Sequence, residues 1–268
     1  MVGDSTIKVI DTHCHAGLDW FEPIEMLIYQ MDLCDVEKAV LVQHRGQYDN
    51  TYLLKCAERF PGRFSVVGMV DTSCIDSPIT LEKWSSQGVT GLRLSVSSRS
   101  PGKDPFRIWE KASDLGLVIS CRGTTDEFAS AEFEGLVARY PYMNIIIEHM
   151  AGASPDTKPA CSIFAKALEL SKYPNAYIKI GGLGEIISRP EVLQSKFVFP
   201  HTSPLVKTVI EAFGAHRVMW GSDYPPVSGR EGYNNALMGT MDSMQFLPSE
   251  EIAWIMGKTA QNLFKFIS

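Results

Sequence analysis

Eight short runs of apolar, largely β-branched residues recur along the chain, and each stops at a polar or glycine-rich point. They are Lys8–His15, Ala39–His44, Phe64–Asp71, Gly91–Val96, Leu117–Arg122, Asn144–His149, Ala176–Gly181 and Arg217–Asp223. From His13 to Asp223 the runs recur about every 30 residues, the length of one strand–helix unit. Between them the period changes from strand to helix. Ile24, Leu27, Ile28 and Met31 share one helical face, as do Ile252, Ile255, Met256, Leu263 and Ile267. Ser249 is placed to cap that last helix, with Glu250 and Glu251 in the first turn, where the helix dipole favours acids.

Continuous apolar strands alternating with amphipathic helices indicate a parallel sheet covered by helices. Eight units favour a closed (β/α)8 TIM barrel of the α/β class, a single domain over residues 1–268. An open doubly wound sheet would carry a glycine-rich phosphate turn after its first strand, and here that strand ends in His13-Cys14-His15. The two loosest stretches, 97–104 and 151–159, follow strands four and six, where a barrel builds its active-site loops.

With 45% hydrophobic and 21% charged residues the chain can bury a large core, which excludes disorder. Its longest uncharged stretches reach ten residues, half of what a membrane span needs. The first residues carry an acid where a secretory signal would be basic, so a cytoplasmic location is expected. A net charge of −6 argues against nucleic acid or an anionic membrane as partner, and an anionic substrate would need local Arg or Lys. Six cysteines without a C-x-x-C pair read as reduced thiols.

In a barrel, polar residues at the C-terminal ends of strands point into the catalytic mouth. Four of the six histidines fall there: His13 and His15 on strand one, His44 on strand two, His149 on strand six; Asp223 ends strand eight. The spacing His13-x-His15 puts two imidazoles on one strand face about 6.6 Å apart. Two neutral imidazoles and a distant carboxylate make a common shell for a catalytic divalent metal. His44 is a candidate for substrate binding, whereas His201 and His216 read as structural or surface residues.

Five stretches carry a resemblance to a known family: Ile10–His15; Met31-Asp32 through Val40–Gln43; Glu148–Gly152; Ile178–Leu183; and Phe213–Pro225. Together they resemble the amidohydrolase superfamily, and within it amidohydrolase family 2, the branch with 2-pyrone-4,6-dicarboxylate lactonase and the sugar lactonases. The resemblance implies that His13 and His15 match the metal-binding pair, His149 the strand-six histidine and Asp223 the general base. It also implies a divalent metal, zinc or manganese, on His13, His15 and Asp223. Strand five departs from the pattern: a ligand histidine is replaced by Cys121-Arg122. Either Cys121 substitutes as a thiolate ligand or it is a small buried residue, and loss of that ligand resembles the lactonases that work without a tightly bound metal.

Arg93 and Arg122 are placed to face the mouth and bind a carboxylate, with Arg99 and Lys103 extending the positive site. The alternative for Arg93 is a pair with a core carboxylate. The expected activity is a hydrolase opening a lactone, one bearing a carboxylate, with Asp223 activating water. Alternatives are a metal-dependent non-oxidative decarboxylase and a non-catalytic barrel binding a small acid. Dimers are common for such barrels, so a homodimer is one expectation, although no segment here identifies an interface.

Overall fold

The computed structural model describes residues 7–188, 191–193 and 204–267. Each sequence run overlaps a strand, and only β2 starts outside its run, three residues early: β1 (Val9–Cys14), β2 (Val36–Val42), β3 (Phe64–Gly68), β4 (Gly91–Ser95), β5 (Val118–Arg122), β6 (Ile145–Ile147), β7 (Ala176–Ile180) and β8 (Val218–Trp220). They are parallel and pair in sequence order from β1 to β8, with helices in the intervening segments. This is the (β/α)8 barrel that the repeat predicts. No helix among the described residues is long and apolar enough to cross a membrane.

The core has two parts because strand side chains alternate between faces. Outward residues such as Val9, Leu41, Val66, Leu92, Ile119 and Ile178 pack against the helices. The helix Ile24–Leu33 turns Ile24, Leu27 and Met31 to that layer, as its spacing predicts. Inward residues Ile10, Val40, Val67, Val118, Ile146 and Met219 fill the barrel, joined by Ala260 and Phe264 from the C-terminal segment. That segment closes the end away from the strand tips. A Cβ on Gly257 would lie 2.0 Å from the carbonyl oxygen of Lys8, so only glycine permits the approach. The last helix starts one residue earlier than expected: Ser249 is its first residue, and Pro248 occupies the cap position without a side-chain bond.

Between β8 and β1 side chains and the segment beyond β8 close the barrel. Thr12 Oγ1 donates to the Trp220 carbonyl at 2.6 Å, Asp223 N–H to the His13 carbonyl at 2.8 Å, and His15 N–H to the Tyr224 carbonyl at 2.8 Å. The buried Asp11 carboxylate clamps the same seam. It accepts from the N–H of His13 at 3.1 Å, from the N–H and hydroxyl of Ser222 at 2.9 and 2.6 Å, and from the Tyr233 hydroxyl at 3.0 Å.

Gly221 lies at this seam, where an added Cβ would meet His13 Cβ at 2.6 Å and its backbone nitrogen at 2.9 Å. A Gly221→Ala variant must move β1 against β8. It is expected to lose about 1–3 kcal/mol in urea unfolding, the usual cost of overpacking; unchanged stability would show that the seam yields freely.

Candidate active site

Along β5, Val118, Ser120 and Arg122 face the barrel axis and Ile119 and Cys121 face the helices. Of the two readings of Cys121, this alternation favours the small buried residue over the thiolate ligand. Its side chain is fully buried in the outer layer, and burial, followed by the charge of Glu148, pushes its thiol well above the usual range. The inward residue is Ser120.

Ser120 belongs to a buried polar layer above the apolar filling. Its hydroxyl donates to Glu148 Oε1 at 2.6 Å and accepts from Lys179 Nζ at 3.1 Å. Arg93 grips Glu148 with Nε, 3.1 and 3.3 Å from its two oxygens, and with Nη2 at 2.8 Å, while Nη1 donates to the Gln43 carbonyl at 3.1 Å. Burial opposes ionisation of Glu148, but Arg93 and Lys179 outweigh it and hold its carboxyl well below the ordinary range. Burial lowers Lys179 to about 8. Arg93 therefore takes the core-carboxylate role: it forms part of the cavity wall, but its fork is committed to Glu148.

The next level holds the expected catalytic group. His15 Nδ1 donates to the Val42 carbonyl at 2.6 Å, which turns Nε2 toward Asp223 Oδ1, 3.6 Å away. His13 Nε2 lies 3.8 Å from the same oxygen and is buried without a hydrogen-bond partner. Both distances exceed a hydrogen bond, so three donor atoms face one point. Burial, with Lys179 and His149 adding to it, drives His13 well below its ordinary value and keeps it neutral. Burial disfavours the Asp223 carboxylate, yet the nearby His15 and the charge of His149 prevail and lower its pKa. Arg230 also donates to Asp223 Oδ2 at 3.0 Å.

His149 sits opposite, its ring 4.8 Å from that of His13. Its Nδ1 lies 3.1 Å from both Glu185 oxygens. Burial works against the imidazolium, but Glu185, then Glu148 and Asp223, raise it to about 9. Backbone strain concentrates here: His149, Met150, Ala151 and Asp223 have φ of 47, 48, 56 and 58°. Such left-handed conformations persist only where the surroundings enforce them, and they cluster at functional sites.

His13, His15 and Asp223 contribute ligand atoms that all lie within 4.8 Å of one another, and the orphaned His13 Nε2 is one of them. The set fits a divalent ion when His13 Nε2 is unprotonated; the His13 proton is then on Nδ1, and Lys179 Nζ, 3.2 Å away, must accept it as a neutral amine, a form that its lowered pKa of about 8 makes accessible. With Lys179 as an ammonium donating to Nδ1, the His13 proton is on Nε2, 3.8 Å from Asp223 Oδ1.

Above these groups opens a cavity of about 570 Å³ whose wall includes Phe21, His44, Arg45, Arg122, His149 and Asp223. His44 thus lies where substrate binding requires; burial, then His15, lowers its pKa. Neither Arg45 nor Arg122 forms an ion pair with any described residue, and burial, with Arg93 and Arg45 nearby, lowers the Arg122 pKa. Arg99 does not extend the positive site: it bonds the carbonyls of Val96 and Ser98 and the carboxylate of Glu132. Lys103 is exposed and outside the cavity wall. His216 packs on Trp254 with ring centres 4.4 Å apart, a structural role as expected, and His201 lies outside the described residues.

A family model for amidohydrolases matches residues 10–266. The chain belongs to the amidohydrolase family. This amidohydrolase is a hydrolase with the fold and motifs that the five sequence stretches imply. It is 26% identical over 242 residues to an L-fucono-1,5-lactonase of Burkholderia ambifaria, covering 86% of this chain and 80% of that protein. A Pseudomonas putida structure provisionally named 2-pyrone-4,6-dicarboxylic acid hydrolase superposes with a TM-score of 0.77 at 21% identity, covering 97% of this chain and 98% of that one. A zinc-bound amidohydrolase from Burkholderia multivorans gives a TM-score of 0.77 at 18% identity, over 96% and 98% of the two chains. These two structures share the fold.

The sequence reading missed Lys179, Glu185, Arg230, Arg45 and Phe21. Lys179 had a signal, a lysine at an inward position of the apolar strand Ala176–Ile180. Glu185 and Arg230 come from loops 45 residues apart and had none.

His149 is raised in the folded state from about 6.5, so its contribution to stability is fully present below pH 6.5 and disappears as pH rises through about 9. The stability gap between the native protein and His149→Gln is expected to narrow between pH 6.5 and 10. A constant gap in urea titrations would refute the charged imidazole.

Proposed function

We propose that this amidohydrolase opens a lactone ring that bears a carboxylate, with Asp223 as the general base. One observation carries the reading: an ionised Asp223 lies beside His13 and His15 beneath a cavity whose wall holds two guanidinium groups without carboxylate partners among the described residues. The relative named L-fucono-1,5-lactonase and the neighbour named for a pyrone dicarboxylate support lactone chemistry.

Asp223 removes a proton from water as the water oxygen bonds the lactone carbonyl carbon. Negative charge builds on the carbonyl oxygen, and the His149 imidazolium, held by Glu185, is the cation placed to receive it. When the ring C–O bond breaks, Asp223 returns the proton to the departing oxygen, and the product is an open-chain acid. Arg230 on Oδ2 keeps Oδ1 directed at His13 and His15 throughout. His13, His15 and Asp223 are the residues that would hold a zinc or manganese ion, whose chemistry would be to make water more acidic. Arg122 and Arg45 bind the substrate carboxylate.

On a panel of carboxylated lactones, Asp223→Asn is expected to lower kcat by about 10²- to 10⁴-fold, the usual worth of a general base, with an unchanged circular dichroism spectrum. A folded, active Asn variant would overturn the assignment. Arg122→Met is expected to raise KM about tenfold or more for a carboxylated lactone and little for a neutral sugar lactone. Equal effects on both would remove the carboxylate from the proposal.

A further inference from the structure

One wall of the cavity has no part in the proton chemistry. Phe21 lies in the loop after β1, which is closed by a Gly17 N–H bond to the Glu22 carbonyl at 3.0 Å and tied to the Tyr224 hydroxyl by the Glu22 carboxylate. Within this loop Phe21 has φ of 68°, a left-handed conformation unusual for a bulky side chain. Hydrophobic burial does not account for it, because Phe21 remains 41% exposed. Its ring lies instead against the His15 imidazole, with centroids 5.0 Å apart and planes within 11°, and meets His44 edge-on at 5.2 Å. The bond from His15 to the Val42 carbonyl fixes the imidazole plane, and hence the plane of the aromatic ring on it. The strained backbone thus presents a half-open aromatic plate on the same cavity wall as Arg45 and Arg122.

We propose that Phe21 determines specificity by selecting a planar, conjugated ring that carries a carboxylate; this rests on the carboxylated-lactone reading and narrows it. In a conjugated ring acid the ring and the carboxylate share one plane. Such a ligand can stack on Phe21 while its carboxylate edge reaches a guanidinium fork. A saturated ring puckers and carries its carboxylate out of the mean plane, so it cannot make both contacts equally well.

The test compares two inert dicarboxylates of equal charge, planar isophthalate and puckered cis-cyclohexane-1,3-dicarboxylate, by calorimetric titration. The native protein is expected to prefer isophthalate. Phe21→Ala should weaken isophthalate about three- to tenfold, with little change for the saturated acid. Phe21→Gly provides the control for folding: glycine adopts φ of 68° without strain, so its Tm is expected to equal or exceed the native value while the preference is still lost. Retained preference in either variant, no binding of isophthalate by the native protein, or a lowered Tm of Phe21→Gly would overturn the proposal. Because the ligands are not hydrolysed, a preference that depends on Phe21 upholds it even if no lactone is turned over, and that second result would count against the lactonase reading alone.

Discussion

The site depends on a buried carboxylate, Glu148, that Arg93 and Ser120 bind directly and that Lys179 supports through the Ser120 hydroxyl. Removing two opposite charges from water is costly, and the cost is offset only when every polar atom finds a partner. Here the geometry supplies a bidentate fork and a hydroxyl that itself accepts from Lys179 Nζ. The result is a rigid polar floor on which His13 and His149 stand, His13 through Lys179 and His149 through chain continuity with Glu148. The same floor makes His13 neutral while the surrounding carboxylates keep His149 charged. Two imidazoles with ring centres 4.8 Å apart thereby acquire different chemical roles.

The second determinant is the seam between the first and last strands. Because β8 is short, the residues just beyond it complete the closure, and one of them is Asp223. Its N–H bonds the His13 carbonyl, so the backbone contact that shuts the barrel also sets the carboxylate beside the two histidines. Closure of the fold and assembly of the site are one event here, which accounts for a left-handed Asp223 and for a glycine at 221.

Much of this was legible in the sequence because strands and their tips are local signals. The triple isoleucine Ile145–Ile147 announced a buried strand, and Glu148-His149 after it announced a mouth. The roles of Arg93 and Cys121 were less legible, since each depends on which way a strand side chain points. Cys121 faces the helices because β5 keeps Ser120 and Arg122 on the axis, and a shift by one residue would have reversed that outcome. Arg93 points inward as expected, but its partner is 55 residues away. The loops were least legible: Glu185, Arg230 and Phe21 acquire meaning only when the barrel brings their ends together.

The C-terminal plug bears on how the molecule comes into being on the ribosome. Ala260 and Phe264 complete the apolar filling, and β1 waits for a partner some two hundred residues downstream. The nascent barrel therefore carries an open first edge and an unsealed floor until β8 and the segment through Phe264 have been made. Valines and isoleucines meant for the interior are accessible during that interval, when strand edges are most prone to wrong pairing. Synthesis of this chain thus leaves the barrel's interior and first edge uncovered through most of the fold's length, and the emergence of β8, Ala260 and Phe264 ends that exposure.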